Sequence, residues 1–411
     1  MSSTPHDRDS GPGPAGGRAN PRGLRAEQIV RAATTLFQEA GYRNVSIEQI
    51  GAAVGLTGPA VYRHFPGKHD ILVQALLTQV DLVDDLVREA DEYGETPQAQ
   101  LWRFLDRLGD QTTNHDVSIL WRREQRHLHP AQLADMRVYF TKFGDYIADK
   151  VAAVRPDLPA VDARLLGFAV LSLYSNTSAI RGTMPPAHVM QIQRAVARSI
   201  VGCELPAPGP DASPPAPATR RPADRHERIL DAATALFAER GFHDVRIDDI
   251  ARAADISVAT FYQQIPGKTE VLRAILFRGL EGTLFLTVHT LDGVEPRDAL
   301  DVLISLHVEY SLGVHGRIIP IFTRDLVYLP EADQNALRAA QRAYIAEWAV
   351  AIRARSPELS ESDAAGLTRA FIGVSGDIVQ VPELRARPGI SAALAALATA
   401  ILQPADLLSD S

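Results

Sequence analysis

A single cysteine, Cys203, stands in a chain of 411 residues. It excludes an internal disulfide framework and any zinc site built on clustered cysteines, and it fits a reducing, cytoplasmic setting. No basic residue flanks it, so its thiol reads as inert. No apolar run reaches the roughly 18–20 residues of a membrane span, so no membrane partner is expected. Residues 1–17 are polar and rich in Gly and Pro, without the apolar core of a secretion signal. Positive charge is not in excess. Lys and Arg number 42 against 50 Asp and Glu, a net charge of −8. That argues against a polyanion binder over the whole surface but leaves room for a locally basic face. Motifs of catalysis are missing: no phosphate-binding glycine loop, nucleophile elbow or HExxH occurs, so neither an enzyme nor a cofactor is expected. His115, His127 and His129 lack tight metal-ligand spacing, and no metal site is expected.

What is present is a repeat. Residues 25–72 and 225–272 align without a gap at an offset of 200, with 19 of 48 positions identical. Most others keep their character, as Tyr42 and Phe242 or Asp70 and Glu270 do. A fainter echo follows at an offset of 201, where Trp121-Arg122-Arg123-Glu124 matches Phe322-Thr323-Arg324-Asp325. The duplication therefore covers a whole unit. Between the copies, residues 204–222 are rich in Pro and Ala. Such a segment favours extended polyproline conformation and could span on the order of 60 Å.

Apolar spacing predicts helices over 71–90, 96–109, 118–128, 130–154, 162–180 and 187–201. In the second half it predicts them over 270–289, 297–312, 318–329, 332–355, 361–380 and 390–402. Strand alternation is scarce, so the chain reads as all-α. The expected domains are a tail (1–20), a head (21–70), a helical domain (71–203), the linker (204–222), a second head (223–270) and a second helical domain (271–405).

Within the first head, residues 27–39 form an amphipathic helix stopped by Gly41, for which a left-handed conformation is expected. Ser46 caps a second helix over 47–54 with Gln49 at its third position. Gly55 makes the turn, Leu56 plugs the core, and Thr57 caps a third helix with Pro59 in its first turn. Val61 points inward, while Gly58, Ala60, Tyr62, Arg63 and His64 can face out. This is a helix-turn-helix, whose second helix fits a major groove.

The segments LFQEAGYRNVSIEQIGAAVGLTGPAVYRHFPGK and LFAERGFHDVRIDDIARAADISVATFYQQIPGK resemble the DNA-binding domain of the TetR family of bacterial transcriptional regulators. The resemblance covers the heads. The remaining helices share the family's ligand-binding and dimerisation domain only in size and pattern. The resemblance implies double-stranded operator DNA as partner, with Tyr62, His64 and Lys68 on phosphates and Thr57, Gly58, Pro59 and Arg63 near base edges. Lys68 suits phosphate as a point charge, Arg63 suits guanine, and Ser46 at a helix start suits phosphate. Arg18, Arg22 and Arg25 form a basic arm for a minor groove. The second copy supplies Arg246, Ser257, Val258, Thr260, Tyr262, Gln263, Gln264 and Lys268. Asp255 replaces the turn glycine, and Gln263 suits adenine. Net charge is +1 over 46–68 and zero over 246–268, so the second head is expected to bind DNA more weakly or to read another half-site.

A small hydrophobic effector is a further expected partner, with Trp102, Trp121, Arg123, Glu124, Tyr139, Tyr174, Phe322 and Arg324 as its candidate contacts. Each of these residues also has a plain structural reading: the aromatics as core, the Arg-acid repeats as ion pairs between helices. Family members usually carry one head per chain and pair as homodimers. Two arrangements remain open for a chain with two heads. Its halves can pair within one chain, or two chains can associate with four heads. A helical scaffold whose heads no longer bind DNA is the alternative function.

Overall fold

The structure is a computed structural model that describes residues 21–115, 117–207 and 222–408. The expected tail and most of the linker lie outside the described residues. Among the described residues every regular element is an α or 3-10 helix. They fall into two compact units, divided between Thr78 and Gln79.

The first unit holds α1 (Pro21–Ala40), α2 (Ile47–Ala53), α3 (Gly58–Val61) and the opening turns of α4 (Lys68–Tyr93). Ile29, Ala33 and Phe37 share one face of α1 at helical spacing and are fully buried, as are Ile50, Val61, Ile71 and Leu72. Ser46 Oγ accepts the Gln49 amide at 3.2 Å and Gln49 Oε1 accepts the Ser46 amide at 2.7 Å, the reciprocal cap expected. Two expectations are corrected. Helix α1 begins at Pro21, so Arg22 and Arg25 lie on a helix and not on an extended arm; Arg18 is outside the described residues. Gly41 has φ 83° and ψ 147°, which is not the left-handed helical region but a corner open essentially to glycine alone.

In the second unit the first half continues with α5 (Pro97–Asn114), α6 (Val117–Glu124), α7 (Pro130–Val154), α8 (Ala160–Ser175), α9 (Thr177–Arg181) and α10 (Pro186–Gly202). The second half adds α11 (Arg225–Arg240), α12 (Ile247–Ala253), α13 (Val258–Gln264), α14 (Lys268–Thr290), α15 (Ala299–Leu312), α16 (Ile318–Asp325), α17 (Glu331–Arg355), α18 (Glu361–Gln380), α19 (Pro382–Arg385), α20 (Ile390–Leu402) and α21 (Ala405–Leu408). The single helix expected over 162–180 is two, broken at Asn176. There the side chain bonds back to Ser172 O at 2.9 Å and competes with the helical ladder.

Helix α8 packs on α7, α18 on α17, and the two halves meet where α8 and α9 lie on α18 and α10 lies on α20. Small residues permit the close approach. A Cβ on Gly167 would come within 3 Å of Ala148, and one on Gly373 within 3 Å of the Asn176 amide group. Cross-half contacts between an acid and a base flank the seam. Arg387 donates to Asp162 Oδ1 through Nε at 2.8 Å, its side chain wholly buried, and His188 Nε2 lies 2.6 Å from Asp363 Oδ1. One stretch does reach membrane-spanning length and apolarity, against the expectation: Ile390–Leu407, 18 residues of mean hydropathy 1.5. Its helix α20 stops at Leu402, and Ala393, Leu394, Leu397, Ala398, Ile401 and Leu402 are buried in the seam, so its apolarity is that of a core helix.

Candidate nucleic-acid interface

The second head repeats the first with different local chemistry. Asp224 caps α11 by accepting the Glu227 amide at 3.1 Å, and Asp249 accepts the Arg246 amide at 3.0 Å. Asp255 takes the turn with φ 57°, as its short polar side chain allows. Phe261 fills the place of Val61 and is fully buried with Ile229, Phe237 and Ile250.

The outward faces correspond closely. Tyr62 and Tyr262 are each 54 % exposed on the second helix of their turn. Beside them Arg63 is exposed in the first head, and Gln263 and Gln264 in the second, while His64 is half-buried. Pro59, Thr57, Ser257, Val258 and Arg246 are exposed, and Ser46 and Thr260 are half-buried. Three placements depart from expectation. Gly58 is buried, because a Cβ there would meet the Glu48 carboxylate at 3.2 Å; it is a packing residue between α2 and α3. Leu56 is half-buried and does not plug the core. Thr57 stands at the N-cap without a side-chain cap bond, whereas the Ser257 hydroxyl accepts the Thr260 amide at 3.0 Å and is committed to its helix.

The lysines have a structural duty that spacing alone did not reveal. Lys68 Nζ donates to Tyr42 O at 2.8 Å and Val45 O at 2.7 Å, above the Tyr42 ring. Lys268 donates to Phe242 O and Val245 O at 2.7 and 2.8 Å, above the Phe242 ring. Burial pulls the Lys268 ammonium below the usual lysine range. Each lysine thus ties the loop after the first head helix to the start of the fourth. Lys268→Met strands the part-buried carbonyls of Phe242 and Val245 and is expected to cost about 1–3 kcal/mol of stability. Tyr262→Ala, at an exposed site, should stay within about 0.5 kcal/mol. Urea denaturation of the two variants checks this, and equal losses would remove the structural duty.

The eight candidate effector contacts stand in different settings. Trp102 lies beneath the Arg198 guanidinium, Trp121 lies against Phe140 with ring centroids 4.4 Å apart, and Tyr139 is half-buried on α7. Tyr174 is core, and burial pushes its hydroxyl well above the usual tyrosine range. Glu124 is buried beside His127, and the Arg123 side chain lies outside the description. Phe322 packs on the core of the second head. Arg324 donates to Phe237 O at the end of α11 and pairs with Asp325, its own neighbour, so the pair is not one between helices. Asp325 in turn accepts the Phe242 amide at 3.2 Å.

A different polar cluster lies in the second helical domain. His307 on α15 reaches Tyr344 Oη at 3.1 Å through Nδ1 and Ser375 Oγ at 3.0 Å through Nε2. Trp348 and Phe371 wall it in. Burial lowers the imidazole to about 4, so it is neutral at pH 7. One turn on, Ser311 Oγ is fully buried with no hydrogen-bond partner among the described residues. The sequence held a signal for this cluster: at an offset of 199 the buried positions of α5 and α15 coincide, and His307 stands where Leu108 does. Asp224, His226 and Glu227 come close enough together to hold a cation, but Asp224 caps α11 and Glu227 binds Arg278.

The family model "Bacterial regulatory proteins, tetR family" matches residues 29–75 and 229–275. The transcriptional regulator SrpR of Pseudomonas putida is 24 % identical over 131 residues, 28 % of this chain and 62 % of its own length. The repressor KstR2 of Rhodococcus jostii is 34 % identical over 107 residues, 26 % of this chain and 52 % of its own. A crystal structure of a TetR-family regulator from Bordetella parapertussis aligns with 46 % of this chain and all of its own, at 23 % identity and a TM-score of 0.40. The chain spans about half to two thirds of these two sequence relatives. The chain therefore carries the DNA-binding domain of the tetR family of bacterial regulatory proteins twice, in tandem, at residues 29–75 and 229–275.

Proposed function

We propose that this transcriptional regulator is a covalent pseudo-dimer whose two unlike heads read an asymmetric operator in the cytoplasm, and whose affinity for DNA falls when a small molecule binds its helical domains. The observation that carries this reading is the matched exposure of Tyr62 and Tyr262 beside unmatched neighbours, Arg63 in one head and Gln263 in the other. Arginine suits guanine bidentately and glutamine suits adenine, so one chain would discriminate two half-sites. The packing of α8 on α18 and α10 on α20 supports pairing within the chain. The His307 cluster, walled by Trp348 and Phe371 and with the Ser311 hydroxyl one turn on lacking a partner among the described residues, is the place that would take a polar group of an otherwise apolar effector.

The test is selection of bound DNA followed by footprinting of wild type and the Tyr62→Ala/Arg63→Ala and Tyr262→Ala/Gln263→Ala variants. Each pair is expected to erase protection of a different half of one footprint, with losses of about 1–3 kcal/mol per base contact. Loss from the first variant alone would leave the second head as a pairing module. Failure of wild type to select any sequence would favour the scaffold reading.

A further inference from the structure

The seam between the halves is nearly two-fold, and it departs from two-fold in one place. An offset of 201 relates Asp162 to Asp363, Asn176 to Asp377 and Arg122 to Thr323. The outer pairs respect the symmetry: each acid stands near the start of its helix and meets a base from the opposite half, Arg387 for Asp162 and His188 for Asp363. At the centre, residues related by the repeat meet each other, as happens only near a pseudo-axis. Asn176 Nδ2 donates to Asp377 Oδ2 at 3.2 Å. The same oxygen accepts Ser172 Oγ–H and the Arg122 guanidinium, each at 2.5 Å. Arg122 is further anchored by donating through Nε to Ser175 O at 2.7 Å. Both charges are largely withdrawn from water, with side chains 22 % and 31 % exposed.

We propose that Arg122, Asn176 and Asp377 form a pairing key that makes each half accept the other half and reject a copy of itself. The unlike pairing holds one cation and one anion, with the carboxylate hydrogen-bonded by three donors. Two first halves would bring Asn176 to Asn176, with two arginines and no carboxylate at the axis. Two second halves would bring Asp377 to Asp377, with Thr323 standing where the guanidinium should be. Each like pairing gathers like charges in a half-dry site, where they repel most strongly. The outer pairs do not discriminate, because an acid would still meet a base from either half. Specificity therefore rests on the central residues. The key rests on the pseudo-dimer reading of the chain. It makes that reading obligatory, since two chains could join through this seam only by exchanging halves. The tether between the halves works in the same direction by raising their effective concentration for each other.

The experiment needs no DNA, so its failure is distinguishable from failure of the operator reading. A protease site placed within residues 208–221 of the full chain is cut, and the products are weighed by native mass spectrometry. Wild type is expected to give unlike pairs in at least 100-fold excess over like pairs. The Arg122→Thr/Asp377→Asn variant, neutral at the axis, is expected to admit like pairs. Statistical pairing in wild type, separation into single halves, or a neutral variant that keeps full discrimination would each overturn the key. A variant that fails to fold is met by a charge swap in the intact chain. Arg122→Asp and Asp377→Arg should each lower the urea midpoint, and their combination should recover most of the loss. Additive losses would overturn the proposal.

Discussion

Arg387→Met is expected to destabilise the chain by about 3–5 kcal/mol, because it leaves the Asp162 carboxylate buried without its cation. The Arg387 side chain is wholly buried and that of Asp162 is 6 % exposed. Nε and one terminal nitrogen of the guanidinium both converge on Asp162 Oδ1, and the other terminal nitrogen donates to Pro388 O at 2.8 Å. A methionine matches the stem and supplies none of these donors. The loss would take a large share of the roughly 5–15 kcal/mol by which folded domains usually exceed their unfolded chains. The expected cause is the stranded anion and not the missing bond, so Arg387→Met/Asp162→Asn should recover most of the stability. Urea denaturation of the three proteins decides this. A loss under about 1 kcal/mol in the single variant would mean that water reaches Asp162 once the arginine is gone.

Helical spacing of buried residues was legible in the sequence, whereas partners distant in the chain, such as Arg387 for Asp162 and His188 for Asp363, were not. Helix existence was legible: 130–154, 361–380 and 390–402 end where their periodicity ends, because buried residues at helical spacing define both length and face. The turn residues Gly55 and Asp255, the Ser46–Gln49 cap and the buried Val61 followed from local chemistry in the same way. Residues whose roles depend on distant partners did not follow. Nothing near Lys68 in the chain announces that the carbonyls of Tyr42 and Val45 fold onto its ammonium, so its charge read as free for phosphate. Gly58 looked outward by helical phase, but the Glu48 side chain covers it from the preceding helix. The repeat also marks where its two copies diverge. Positions where one copy places Arg122, Asn176 and Leu108 and the other Thr323, Asp377 and His307 are the positions where the halves specialise, and two of the three lie on the seam.

Asp325→Ala is expected to loosen the second head and to cost about 3–5 kcal/mol, since it breaks a buried pair and strands both its partners. Asp325 is 2 % exposed, and burial raises its carboxyl's affinity for a proton while Arg324 and the Phe242 amide oppose that rise. The two residues work as a clamp. Arg324 holds Phe237 O in the last turn of α11, and Asp325 holds the amide of Phe242 just beyond the end of that helix. Arg126 of the first half donates to Arg324 O at 2.9 Å. Through this chain of bonds α16 fixes the loop on which α12 and α13 stand, and a group from the other half steadies α16. A displacement of α16 would therefore reach the second recognition helix directly. Asp325→Asn keeps an acceptor for the Phe242 amide and should cost less. Hydrogen exchange separates the clamp from general destabilisation. With Asp325→Ala, amides over residues 241–246 should lose protection in conditions where those of α18 keep theirs. Uniform loss across both segments would mean that Asp325 stabilises the fold as a whole and does not govern the attitude of the head.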